Sequence, residues 1–113
     1  MAPISPLQAE SRPKEAIPRH RFSPQLHQSK APFSHYVEHE GIGYTAGIIG
    51  QRRDSGELVS DDVSQQCDAM LANLQILLDE QGLTLNDLLR TTVYLTDYQD
   101  FEAINRRVFQ APV

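Results

Sequence analysis

Cysteine occurs once in the 113 residues, as Cys67, so no intramolecular disulfide can form and a reducing compartment is the expectation. No apolar run is long enough for a signal-peptide core or a membrane span. Arginines and serines near the N-terminus are interrupted by Glu10 and Glu15, which does not suit a transit peptide. A cytoplasmic location is therefore expected. A glycine-rich phosphate loop, a nucleophile elbow and a stripe mixing basic and aromatic residues are also missing. His35 and His39 are four residues apart, and a strand would separate them by roughly 13 Å. No Cys or His cluster elsewhere joins them, so no metal and no other cofactor is expected.

Positive charge is scarce and badly distributed. Residues 1–30 hold five basic and two acidic residues, whereas residues 31–113 hold five basic and thirteen acidic ones. An acidic body repels a polyanion, so nucleic acid is not an expected partner. Six of the seven prolines lie in the first 32 residues, a stretch without hydrophobic periodicity. Residues 1–30 are accordingly read as a proline-rich, mostly disordered arm. The remaining 31–113 form one domain near the small end of what a single core stabilises, and association with other copies would help it.

That body is organised around Gly82–Asn105. Its centre, residues 91–96 (TTVYLT), is β-branched or aromatic at five of six positions, and alternation puts Thr91, Val93 and Leu95 on one face. A strand is predicted there. Upstream, 33–40 and 44–49 read as two strands joined by a turn at 41–43. Val63, Cys67, Met70, Leu71, Leu74, Leu77 and Leu78 form one apolar helical stripe, with Ser60 or Asp61 as N-cap and Gly82 as left-handed C-cap. Residues 86–89 suggest a short turn. Asp100 is a candidate cap for a second helix bearing Phe101, Ile104 and Val108. The order β-β-α-β-α predicts an α+β fold, a sheet with one face covered by two helices. If these 113 residues are the whole protein, the faces of Val93, Leu95 and the 63–78 helix are under-covered, and the molecule is expected to be marginally stable, aggregation-prone or rescued by pairing its open sheet edge with another chain.

Several spaced motifs resemble the RidA (YjgF) family, small trimeric proteins that hydrolyse reactive enamines and imines. They are Ala31-Pro32-Phe33-Ser34-His35, Ala46-Gly47, Ser55-Gly56-Glu57, Gln66 with Asn73-Leu74, Arg90 through Asp97, and Phe101-Glu102-Ala103-Ile104-Asn105. The resemblance covers about residues 31–109. It implies a chorismate-mutase-like α+β fold, a homotrimer with clefts between subunits, and hydrolysis of 2-imino acids to 2-keto acids and ammonia without a metal. Its small-molecule partner would be an imino or enamino acid or a related carboxylate.

Such chemistry needs a bidentate arginine for the substrate carboxylate, a carboxylate to handle water, and backbone donors at the reacting centre. By the resemblance, the arginine and the acidic residue lie on strands after the second helix, which this chain is expected to lack. Arg106 and Arg107 fall within that helix, do not match the motif, and are expected to face solvent. No catalytic residue is assigned. Phe33, Ala46, Gly47 and Asn105 match substrate-binding positions, with Phe33 replacing a tyrosine and Ala46 a serine.

Each has a plainer alternative. Gly47 either offers its N–H to a ligand or lets two backbones approach. Phe33 either lines a cleft or packs at a strand edge. Asn105 either orients a ligand carbonyl or caps a turn. Cys67, on the apolar stripe, reads as buried core rather than reactive thiol. A non-catalytic member acting as a small-molecule-binding or regulatory interaction subunit is the alternative function. A ribonuclease activity, also attached to this family, suits the acidic body poorly.

Overall fold

The structure, a computed structural model, describes residues 17–109, which divide into two compact units. A sheet unit contains the described residues up to Phe22 together with Phe33–Ala46. A helical unit contains Ser23–Pro32 and the described residues from Gly47 onward.

In the sheet unit, β1 (Arg19–Arg21), β2 (Tyr36–His39) and β3 (Ile42–Thr45) form an antiparallel sheet in sequence order. The β2–β3 hairpin is the one expected, with its turn one residue earlier. Glu40 and Gly41 both have positive φ, 52° and 79°, as a two-residue turn matched to strand twist requires. This turn sets Tyr36 opposite Thr45 and His39 opposite Ile42. Ala46 then donates its N–H to the His35 carbonyl at 3.1 Å, and the pairing ends there. Residues 46–49 are consequently outside the strand predicted for 44–49.

Strand β1 comes from the stretch assigned on composition to the irregular arm. Arg19, His20 and Arg21 have no apolar alternation to announce them, and main-chain pairing with Glu38, Val37 and Tyr36 holds them. Arg19 faces Glu38 across the ladder, a favourable charge pairing. Ser23 and Leu26, from the same stretch, are buried in the helical unit. The ordered body thus begins before residue 31, and residues 1–16 of the arm lie outside the described residues.

The helical unit is built on α1 (Val63–Glu80), the helix with the apolar stripe. Its N-cap is Asp62, which accepts the Gln65 N–H at 3.0 Å, rather than Ser60 or Asp61. Ser60 instead accepts the Asp62 N–H at 3.0 Å, a local turn that delays the helix start. At the other end Gly82 has φ 73°, donates to the Asp79 carbonyl, and lets Leu83 donate to Leu78. That is the glycine-dependent C-terminal lock the sequence predicts. Of the stripe, Cys67, Leu77 and Leu78 are buried.

A single 3-10 turn, Leu85–Asp87, follows, closed by Thr84 and Asp87 in a reciprocal capping box. Asp97, not Asp100, then caps a 3-10 turn over Tyr98–Asp100 that runs directly into α2 (Phe101–Phe109). Helix α2 packs on α1. Ile104 is buried, and the Arg107 guanidinium is ion-paired with Asp68 of α1 at 2.8 Å. Arg107 therefore links the helices rather than simply facing solvent.

Residues 91–96 do not form the predicted strand. Strand composition supplies the tendency, but a strand is defined by a ladder, and no described strand lies alongside. Among the described residues, no backbone–backbone hydrogen bond involves 89–96. Tyr94 is 91% exposed and Leu89 83% exposed.

Candidate functional site

Phe33 and Ala46 belong to the sheet unit and meet at His35. The His35 ring is buried and stands edge-on to Phe33 (centroids 5.9 Å apart, planes at 80°) and to Phe22 (6.1 Å, 75°). Its carbonyl accepts the Ala46 N–H. One residue thus fixes the neighbour of the Phe33 ring and the backbone at Ala46. Phe33 remains 42% exposed, so its other side is available to a ligand or a second chain. Next to this cluster, His20 Nδ1 and the Ser34 hydroxyl are 2.9 Å apart. His35 is accordingly a packed aromatic between rings. In sequence it entered only a rejected metal pair and the Ala31–His35 motif, and the sign of its packing was its position between Phe33 and Tyr36. Among the described residues, no group of three or more His, Cys, Asp or Glu could hold a metal ion.

Tyr36, the first residue of β2, is buried on the sheet. Burial pushes its hydroxyl above the ordinary phenol range, the Glu38 carboxylate adds to the effect, and the Arg21 guanidinium partly offsets it. It therefore stays neutral and cannot act as a base near neutral pH.

Gly47 and Asn105 belong to the helical unit. Gly47 is exposed, and a Cβ built on it meets no atom within 4 Å. No steric contact within the described chain requires glycine at this position. Asn105 is half-buried on α2, and its amide makes no side-chain hydrogen bond among the described residues. An amide left with both donor and acceptor capacity suits a polar ligand.

The segment after Gly47 is held far more firmly than the sequence suggests. Gly50 is buried against α1, where a Cβ would fall 2.3 Å from the Gln66 carbonyl oxygen. Its own carbonyl accepts the Val59 N–H at 2.9 Å, and Arg52 N–H donates to Glu57 at 2.7 Å, making a small paired loop. The Gln51 side chain closes that loop on the Gly56 carbonyl at 3.0 Å. At the tip, His27 Nδ1 donates to the Arg53 carbonyl at 2.8 Å, and Arg53 Nε donates to Pro24 at 2.8 Å. At the base, the Asn73 carboxamide donates to the carbonyls of Ile49 (3.0 Å) and Gln51 (3.3 Å). Asn73 entered the sequence reading only as a family anchor. A polar amide beside the apolar stripe was the available sign that it serves the loop.

Cys67 is buried on α1. Burial and the neighbouring Asp68 push its thiol above the ordinary range, with Arg107 partly lowering it. Such a thiol is a core group, as its place on the stripe predicts.

With this geometry in view, the chain defines an α+β fold of small antiparallel sheet and two helices shared with solved RidA-type structures. The E. coli YjgF gene product is 25% identical, with a TM-score of 0.72 over 82% of this chain and 72% of that one. E. coli TdcF, solved with bound serine, is 26% identical, with a TM-score of 0.71 over 81% of this chain and 71% of its own. The family profile described as Endoribonuclease L-PSP matches residues 24–111. The chain belongs to this family, the RidA (YjgF) family. A RutC family protein of Pyrococcus abyssi is 31% identical over 84 residues, 74% of this chain and 66% of that protein. The mouse protein named 2-iminobutanoate/2-iminopropanoate deaminase is 34% identical over 74 residues, 66% of this chain and 55% of its own length. The chain thus spans about half to two thirds of the length of these curated relatives. Among the described residues, no helix is long and apolar enough to cross a membrane.

Proposed function

We propose that this protein hydrolyses reactive 2-imino acids and their enamine tautomers to 2-keto acids and ammonia, as a cytoplasmic homotrimer. Water adds across the C=N bond to give a carbinolamine, whose hydroxyl then loses its proton to form the keto C=O as the C–N bond breaks and the amine, taking up that proton, leaves as ammonia. The observation that carries this reading is the likeness to the mouse and human proteins named 2-iminobutanoate/2-iminopropanoate deaminase. Phe33, Ala46, Gly47 and Asn105 are the proposed substrate-binding residues. Gly47 contributes its backbone N–H, a donor suited to charge that develops on a tetrahedral centre. Asn105 contributes a carboxamide for a substrate oxygen or nitrogen. The arginine and the acidic residue implied by the family resemblance are assigned to no residue of this chain.

The test generates 2-iminobutanoate in situ with an amino-acid oxidase and traps it with semicarbazide. The protein should lower semicarbazone formation in proportion to its concentration while ammonia appears at an unchanged or higher rate. Unaltered trapping at protein concentrations equal to the oxidase would refute the activity. A second reading, a binding subunit without turnover, draws on the neighbour solved with bound serine. It predicts saturable binding of serine by calorimetry together with unaltered trapping.

A further inference from the structure

We infer that Asn73 is a positioning residue for the Gly47 backbone donor, acting through Ile49 and Gln51. The inference rests on the proposed role of Gly47 in binding substrate. Asn73 projects from the middle of α1 and gives both hydrogens of its carboxamide to the loop, one to the Ile49 carbonyl at 3.0 Å and one to Gln51 at 3.3 Å. With a carbonyl at each hydrogen, the nitrogen must be the atom facing the loop, so the amide orientation is fixed by its acceptors. Between these two carbonyls sits Gly50, pressed on the Gln66 backbone one to two turns earlier in the same helix. The loop is thereby pinned to α1 at two points, by a steric seat at Gly50 and by a polar clamp at Asn73.

Gly47 stands two residues before the first clamped carbonyl. No atom lies within 4 Å of where its Cβ would be, so its backbone is held through its chain neighbours, Ala46 on one side, whose N–H donates to the His35 carbonyl at 3.1 Å, and Ile49 on the other. Its downstream side is set by what holds Ile49. Loosening the clamp frees two consecutive links, and a donor aimed at a reacting centre is sensitive to shifts of about an ångström. Deprived of Asn73, the Gln51 carbonyl would turn toward water and carry its peptide plane with it, while the Ile49 carbonyl would keep only the Gln51 N–H at 3.0 Å.

The test uses the full chain with Asn73→Ala, Asn73→Asp and Asn73→Gln, and Gln75→Ala as an exposed helix control. Backbone amide exchange is followed residue by residue, because it reads the clamp without any substrate. Asn73→Ala and Asn73→Asp should speed exchange at Gln51, Arg52 and Val59 by about tenfold. Exchange in the Leu77–Gln81 turn should stay as in the wild type, which separates loosening from global unfolding. Asn73→Gln, which keeps both donors, should recover much of the protection. In the imine assay the two disruptive variants should lose roughly tenfold in kcat with KM within about twofold, and Asn73→Gln should regain most of it. Unchanged loop exchange in Asn73→Ala would overturn the inference, as would a loosened loop with unchanged kcat. If the wild type itself shows no imine hydrolysis, the deaminase reading fails. The clamp is then judged by exchange and by the Gly47 amide resonance, which must move in Asn73→Ala and return in Asn73→Gln.

Discussion

Two glycines three residues apart should respond oppositely to the same added methyl group. At Gly50, a Cβ would stand 2.3 Å from the Gln66 carbonyl oxygen and 2.9 Å from its carbonyl carbon and Cα. These are backbone atoms of α1, tied into the helix ladder, so they cannot swing aside as a flexible side chain would. Overpacking of this kind costs about 1–3 kcal/mol. Replacing glycine also restricts the unfolded chain, which returns about 0.4–1 kcal/mol. The net for Gly50→Ala is a loss of about 1–2 kcal/mol, or roughly 4–15 °C in Tm for a domain of this size. At Gly47 no atom lies within 4 Å, so Gly47→Ala should change stability by no more than about 0.5 kcal/mol, with a slight gain favoured. With no tryptophan in the chain, urea unfolding is best followed by far-UV circular dichroism. Equal midpoints for Gly50→Ala and wild type would show that the loop does not sit on α1. A Gly47→Ala loss matching that of Gly50→Ala would show that Gly47 is packed.

Leu77 is only 1% exposed, so Leu77→Ala should cost about 2–5 kcal/mol, measured by the same urea titration. The Arg107–Asp68 pair joins the helices but its side chains are 37% and 62% exposed, so Arg107→Ala should cost less than about 1 kcal/mol. That difference should shrink further in 1 M salt, read as converging melting temperatures. Because the folded state holds the Cys67 proton more tightly, the unfolded chain loses its proton first as pH rises. The stability tied to this thiol is complete below the ordinary thiol range, about pH 8.5, and declines above it. Cys67→Ala should flatten that alkaline decline in a pH series of urea midpoints, and an unchanged slope would contradict a buried, proton-retaining thiol.

The parts of the fold legible in sequence were those whose causes are local. The stripe from Val63 to Leu78, the left-handed Gly82 and the turn near Gly41 each follow from spacing or from backbone freedom within a few residues. Strand β1 was invisible because Arg19–Arg21 owes its structure to main-chain pairing with β2, a contact across many residues that leaves no hydrophobic pattern. Residues 91–96 erred in the other direction, with strand composition but no described partner for a ladder. At the candidate site, Gly47 and Asn105 were singled out by motif alone, and the open space at the Gly47 Cβ is a feature the motif did not show. The packing of His35 against Phe22 and Phe33 was not legible because spacing tests for a metal say nothing about ring contacts. Asn73 escaped because its role runs from a helix to a loop more than twenty residues earlier.

The proposal that Phe33, Ala46, Gly47 and Asn105 each contribute to binding an imino acid is tested most directly by titrating the labelled protein with the keto-acid product, 2-oxobutanoate. The account predicts saturable shifts of the Ala46 and Gly47 backbone amides and of the Asn105 carboxamide, with the buried Leu77 amide unmoved. Shifts confined to the Arg52–Gly56 turn, or none at concentrations far above those of cellular keto acids, would contradict it.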